Sequence, residues 1–481
     1  MRWIDLGVVA VYLVGITWFG ARFKQSQRSL KDYFLGGRNT PWWAIGFSIV
    51  SAETSTLTVI GTPALSFGGN FGFLQVVLGY LLARVVISLP FLPHYFRGEL
   101  YTAYELMQRR FGPRLRKLTA GLFLLLRALA EGVRVFAISI VIAIILGTGE
   151  IPSIILIVCL TLFYTFEGGM TAVIWTDVIQ MFLYVAGAIV SLFVILGEIR
   201  GGWAEVAAMA QAAGKFQLFD FSLGEAFFSR PYSFWAGVVG GCFLTTASHG
   251  TEQLMVQRLL AARNEAEARK ALFASWIVIA FQFTLFLLIG LILWAYYQQN
   301  GLPDPPQKDR IYPQFIWNEL PVGVAGLIVA AILAAAMSNL SAALNSLAST
   351  TVMDFYKPGF PGKEEKHYLR LARLATLGWG GVLFAIGVWS RTVPSVLEAG
   401  LGIASILYGG LLGVFLLGVL TRRVSEPAAM AAMTAGVASN LWVRFAAPEV
   451  AWTWYVLIGT TITAAVGLAA SLVLKGQNNG R

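Results

Sequence analysis

Charge is what this sequence has least of. Only 12% of its 481 residues are Asp, Glu, Lys or Arg, about half the share in a soluble domain. Two or three soluble domains of this total length could not cover their surfaces with so little. A secreted, disordered or nucleic-acid-binding protein is thereby excluded. Cysteine is scarce too. Cys159 and Cys242 lie inside apolar runs, where they read as small buried hydrophobes, so there is no disulfide framework and no C-x-x-C metal site. The three histidines, at 94, 249 and 367, are too scattered for a zinc cluster. What is plentiful is apolar side chain, 57% of the residues, enough for about thirteen membrane spans of ~20 residues. A polytopic helical membrane protein is the class left.

Apolar stretches separated by charge or Gly/Pro punctuation give candidate spans at 3–21, 42–66, 71–92, 118–147, 151–167, 170–197, 233–257, 271–297, 322–354, 368–390, 394–420, 427–446 and 452–474. Backbone groups in lipid must be satisfied within the segment, which makes these runs helices. They are too long, and alternate too little, for a barrel. The first run has no basic leader and no A-x-A site and is expected to be retained. Lys and Arg set the orientation. With the N-terminus outside, loops 22–41, 93–117, 258–270, 355–373, 421–426 and the C-terminal tail face the cytoplasm and hold 24 of the 35 basic residues, against 8 on the other side. The formal net charge of +10 thus lines the inner face, where anionic lipid attracts it. The partners expected are the lipid bilayer and a small-molecule solute, with no nucleic acid and no obligate protein partner. The long outer loops 198–232 and 298–321 carry stretches such as Phe219-Asp220-Phe221 and Phe315-Ile316-Trp317 and are expected to form short helices over the outer face.

Segments 42–66 and 233–257 echo one another. Each opens with a Trp-Ala pair and loses its apolar character in mid-membrane, through Ser51-Ala52-Glu53-Thr54-Ser55-Thr56 and Thr245-Thr246-Ala247-Ser248-His249-Gly250. Five spans separate them, an odd number that would invert the related units in the membrane. Interrupted helices at matching places in two halves point to a transporter's central site. A broken helix offers carbonyls to a small cation and a positive half-helix end to an anion; hydrogen bonding between helices is the plainer reading of the same residues. Asp177 lies inside 170–197, where a carboxylate must be paired or neutralised. It suits a cation site or a helix-start cap. In 322–354, Ser338, Ser341 and Asn345 share one helix face, fit for close packing or for hard oxygen ligands of a cation. Arg127, Glu131 and Arg134 are spaced for an internal ion-pair network. Alternatively Arg134 offers its fork to a solute carboxylate, or to Glu53 when the site is empty.

Several motifs resemble those of the sodium:solute symporter family: Asp32-Tyr33-Phe34-Leu35-Gly36-Gly37-Arg38, Phe163-Tyr164-Thr165-Phe166-Glu167-Gly168-Gly169 running on to Trp175-Thr176-Asp177, Val256-Gln257-Arg258 and Met353-Asp354-Phe355-Tyr356. The resemblance covers about residues 30–425. It implies an all-α polytopic fold of the LeuT type, a five-plus-five inverted repeat with one helix before the core and two after. The division would be 1–41, an extra span and cytoplasmic loop; 42–197, the first repeat; 198–232, an outer loop; 233–420, the second repeat; and 421–481, two further spans and a tail.

By the same resemblance the activity is secondary active transport, not enzymatic: sodium-coupled symport by alternating access at the cell membrane. The co-transported sodium ion would sit on oxygens of Ser51, Thr54, Ala335, Ser338 and Asn339. A second cation site would use Asp177 and Ser341. Candidate solute-binding residues are Glu53, Thr58, Gln75, Arg134, Thr245, Ser248 and His249. Within segment 271–297, Trp276-Ile277-Val278-Ile279-Ala280-Phe281 is apolar until Gln282, which disfavours a sugar relative to a small carboxylate or zwitterion. An uncoupled channel or uniporter and a solute sensor are the rivals of another class.

Overall fold

The computed structural model describes residues 2–21, 38–97, 103–164, 170–224 and 226–473. The 32–37 part of the first motif and residues 165–169 of the second lie outside them. A helix stands over every expected run. In chain order these are α1 (Trp3–Ala21), α2 (Trp42–Glu53), α3 (Thr56–Gly68), α4 (Leu74–Val86), α5 (Ala103–Arg110), α6 (Pro113–Leu146), α7 (Glu150–Tyr164), α8 (Met170–Gly197), α9 (Gly202–Ala212), α10 (Phe234–Gly250), α11 (Gln253–Leu260), α12 (Glu265–Gln299), α13 (Ile311–Glu319), α14 (Val324–Thr350), α15 (Glu365–Trp389), α16 (Val396–Leu420), α17 (Glu426–Ala446) and α18 (Tyr455–Val473). Among the described residues eight helices are long and apolar enough to cross a membrane, or up to nine if the α2–α3 pair counts as one bent span. The expected thirteen are not reached by that measure, on which α1 and α7 are shorter apolar helices.

Local chemistry sets several boundaries. Asn264 accepts from the Glu267 N–H (2.9 Å) and starts α12, as an N-cap should. Ser395 accepts from the Glu398 N–H at the start of α16, a Ser-x-x-Glu pattern. Gly147 closes α6 in the left-handed region (φ 63°), where glycine costs least.

The bundle is drawn together by glycines that let backbones touch. A Cβ at Gly241 of α10 would lie 2.3 Å from the Val76 carbonyl oxygen of α4, and one at Gly79 would lie 2.3 Å from the Val238 carbonyl oxygen. Both obstacles are main chain and cannot rotate away. Gly241→Ala is therefore expected to destabilise the protein by about 1–3 kcal/mol or more, read as a lowered midpoint of thermal unfolding in detergent. An unchanged midpoint would mean that α4 and α10 do not approach this closely.

The two long loops 198–232 and 298–321 form short helices as expected, but not where the aromatic stretches suggested in the first loop. There the helix is α9, while residues 219–221 have no regular structure and stack Phe219 and Phe221 around Phe234. In the second loop α13 buries Tyr312, Phe315, Ile316 and Trp317. Lys215 donates to the carbonyls of Ser66, Phe67 and Gly69 (3.1, 2.8 and 2.9 Å), placing a cation at the negative end of α3. Cys159 is exposed on α7, against its expected burial: the run is apolar because one face meets lipid, and lipid-facing residues have no protein around them.

Asp309, just before α13, is buried and accepts the Val396 N–H (3.0 Å) at the head of α16. Burial pushes its carboxyl up from 3.8 to about 6; the Val396 hydrogen bond works against this, and the nearby Glu398 charge adds to it. Between those two values the folded chain holds a proton that the unfolded chain has lost. Stability from this group is thus full below about pH 4 and falls as pH rises through 6. Asp309→Asn keeps the acceptor without the charge. It should melt higher than the parent at pH 7, and the gap should close at pH 4–5. A constant gap across that range would sink the assignment.

Candidate functional site

The break between α2 and α3 bends the chain by 64°. Ser, Thr and Glu in succession compete for the backbone and disfavour continuous helix. Thr54 leaves the helix at ψ 83° and Ser55 is extended. The Thr54 N–H still reaches the Val50 carbonyl (2.8 Å), but those of Ser55 and Thr58 turn to Glu53 and Ser55 (3.2 and 2.9 Å). Among the described residues no main-chain N–H reaches the carbonyls of Ser51 or Thr54. These are the oxygens that a bound cation would use.

Their side chains point elsewhere. The Thr54 hydroxyl accepts from Gln282 Nε2 of α12 (2.7 Å), and both hydroxyls lie beside the buried Tyr184 of α8. On the other side of the break, Asn339 of α14 faces Ser55 and Thr56 across a gap with room for about one water molecule, which Arg134 also lines. Ala335 and Ser338 stand on the same helix; their side chains lie outside what the structure describes.

Asp177 is not a vacant cation ligand. Its Oδ2 accepts from Ser48 Oγ (2.7 Å) and from Arg258 Nη2 (2.9 Å), and Arg258 Nε also reaches Ser48 (2.9 Å). A guanidinium from α11 thus pairs with one carboxylate oxygen of Asp177, and no hydrogen bond among the described residues joins Ser341 to Asp177.

The second interruption comes later than the polar sequence suggested. α10 stays helical through Gly250, and the chain breaks at Thr251 and Glu252 before α11. Thr245, Ser248 and His249 therefore project from an intact helix. Together with Glu53, Thr58 and Arg134 they line one cleft of about 890 Å³, counting its open mouth. Gln75 does not. Its amide is held by the carbonyls of Gly72 and Tyr232 and by the Asp220 N–H, which ties down the 198–232 loop.

The cleft is ringed by paired charges. Glu53 accepts from Arg84 Nη2 of α4 (3.2 Å), with His249 Nε2 on the same oxygen, also at 3.2 Å. Of the two readings of Arg134, the internal network with Arg127 and Glu131 is the one found, and the fully buried Arg84 takes Glu53 instead. Arg127 bridges Glu131 (3.0 Å) and Glu252 (3.1 Å), the Tyr408 hydroxyl donates to Glu252, and Arg134 donates to Glu131. This network joins α6 to α16 and to the break before α11. Arg134 keeps 24% of its side chain exposed, and its Nε has no partner.

Arg84, Glu252 and Arg258 were not singled out as site residues. Arg84 stands as a lone guanidinium in an apolar run. Glu252 follows two residues after the polar stretch of α10. Only folding shows that they meet Glu53 and Arg127.

The family model for the sodium:solute symporter family matches residues 33–436. The chain belongs to the sodium:solute symporter family. Over 476 residues the symporter is 30% identical to the sodium/sialic acid symporter NanT of Aliivibrio fischeri, covering 97% of this chain and 93% of that one. It is 29% identical to the human sodium/iodide cotransporter, covering 92% and 70%. A solved structure described as the substrate-bound outward-open state of a Na+-coupled sialic acid symporter superposes with a TM-score of 0.83 at 26% identity, covering 98% of each chain. The fold is therefore the LeuT-type inverted repeat, the protein is a multi-pass membrane transporter rather than an enzyme, and its activity is sodium-coupled symport of a small solute.

Proposed function

We propose that this symporter carries a small organic carboxylate or zwitterion together with sodium, and that Arg134 receives the carboxylate. One observation carries the reading. Arg134 is the guanidinium in the cleft with exposed surface, 24% of its side chain, whereas Arg84 and Arg127 are buried. Binding an anion there completes a fork already half engaged.

Sodium sits on the freed carbonyls of Ser51 and Thr54 and on Ala335, Ser338 and Asn339. It holds α2 and α3 against α14 and raises the population of the state that accepts solute, which is coupling in the thermodynamic sense. The membrane potential supplies about 2.3 kcal/mol per charge per 100 mV. The N-terminus lies outside and the C-terminus in the cytoplasm, with 42–197 and 233–420 as the two repeats.

Purified protein in liposomes should concentrate a short-chain carboxylate inside only under an inward sodium gradient; uptake that merely equilibrates would make it a channel or uniporter. Ser338→Ala should raise the sodium concentration for half-maximal uptake about tenfold or more, since one ligand hydroxyl is lost. An unchanged sodium dependence at equal protein level would remove Ser338 from the site.

A further inference from the structure

Two guanidinium groups share one oxygen of Glu131. Arg127 Nη2 lies 3.0 Å from Oε1, Arg134 Nη1 donates to the same atom, and Oε2 has no hydrogen-bond partner among the described residues. Arg127 is itself divided, because its Nη1 donates to Glu252 Oε1 at 3.1 Å. The other Glu252 oxygen accepts the Tyr408 hydroxyl. Charge thus alternates in an unbroken line from Arg134, the exposed member, to Glu252 at the head of α11.

α11 is a short helix, Gln253–Leu260, and Glu252 before it has extended backbone (φ −85°, ψ 131°). Gln253 Oε1 ties its first residue to α5 by accepting the Ala103 N–H at 2.8 Å. Arg258 ties its last turn to α8 and α2, through Asp177 and Ser48, both at 2.9 Å. Of these ties only that of Glu252 borders the cleft, whose wall includes Arg127, Arg134, Glu252 and Tyr408. A solute in the cleft can therefore act on the head of α11 and not on its tail.

The sign of that action follows from charge. A carboxylate on the open side of Arg134 shares a guanidinium that Glu131 otherwise has to itself. Glu131 then draws harder on Arg127, its other cation, and the added negative charge repels Glu252. Both effects loosen Glu252 from Arg127. Arg127, Glu131 and Glu252 are all buried, so little screening weakens them.

We infer that Glu131, Arg127 and Glu252 are positioning residues that make transport conditional on solute: Glu252 latches the head of α11 to α6 and α16, and a carboxylate on Arg134 releases it through Glu131. The inference rests on the carboxylate reading above and adds what the bound carboxylate does. The latched and released forms of α11 are the two-state element that coupling between sites requires. With sodium alone the latch stays closed, and sodium does not cross unaccompanied.

The test uses the full-length protein in liposomes. Tyr408→Phe removes one of the two holds on Glu252, a hydrogen bond to a charged group, and should raise sodium flux in the absence of solute about tenfold or more. Glu131→Gln cuts the line at its middle and leaves Arg134 free for the solute. Propionate and its homologues should bind that variant at least as tightly as the parent, while the release of α11 fails, so KM holds or falls and kcat drops about tenfold. Loss of a merely supporting side chain would lower the amount of folded protein without that split. Parental solute-free sodium flux in Tyr408→Phe overturns the inference and leaves the carboxylate reading standing. So does a Glu131→Gln variant with raised KM and unchanged kcat, since Glu131 would then only hold Arg134. If the parent neither binds nor carries these acids, the carboxylate reading falls and the relay with it. Should Glu131→Gln not fold, the Tyr408→Phe flux decides by itself.

Discussion

Replacing Arg84 with Met should cost the folded protein about 3–5 kcal/mol, the usual penalty for stripping one partner from a buried ion pair, and should abolish uptake. Arg84 is fully buried. Without it Glu53 keeps only His249, inside a membrane that cannot solvate a carboxylate. The cost belongs to the abandoned charge more than to the lost contact, so a second change should repair it. Arg84→Met combined with Glu53→Gln removes both charges and should recover most of the stability but not the solute affinity. Thermal unfolding of the two single variants and the double variant, with uptake measured beside it, separates these terms. A single Arg84→Met variant as stable as the parent would show that Glu53 does not depend on it.

The contrast between Arg84 and Ser51–Thr56 shows what a single sequence can and cannot carry. The break in the 42–66 run was legible because its cause is local: successive Ser, Thr and Glu residues compete with their own backbone wherever they stand. The same logic placed the second interruption slightly early. Thr245 to Gly250 are polar yet remain helical, because α10 packs its glycines against α4 and tertiary contact outweighs propensity.

Partners across helices were not legible. Arg127, Glu131 and Arg134 sit three and four residues apart, so their network followed from helix geometry. Asp177 with Arg258, Arg127 with Glu252 and Glu53 with Arg84 are separated by 81, 125 and 31 residues, and no periodicity encodes such distances. Gln75 was misplaced for a related reason. It stands at the N-terminal end of α4, and only the folded 198–232 loop shows that Tyr232 and Asp220 take up its amide.

Arg134→Ala is expected to raise the solute concentration for half-maximal uptake by about 100-fold or more, because truncating one side of a desolvated charge pair costs roughly 2–5 kcal/mol. Folding should survive. Glu131 keeps the Arg127 Nη2 contact at 3.0 Å, Arg127 keeps Glu252, and alanine suits the interior of α6. Stabilisation by sodium alone should also persist, which distinguishes loss of a solute contact from collapse of the site. Arg134→Lys keeps the charge but replaces a planar fork with a point donor. It should recover only part of the affinity, and the recovery should be smallest for solutes that use both carboxylate oxygens. Were Arg134→Ala to transport short carboxylates with parental affinity, the anion would have to be held elsewhere. The two other guanidinium groups around the cleft are already taken up by carboxylates, so the assignment of the solute as an anion would fall with it.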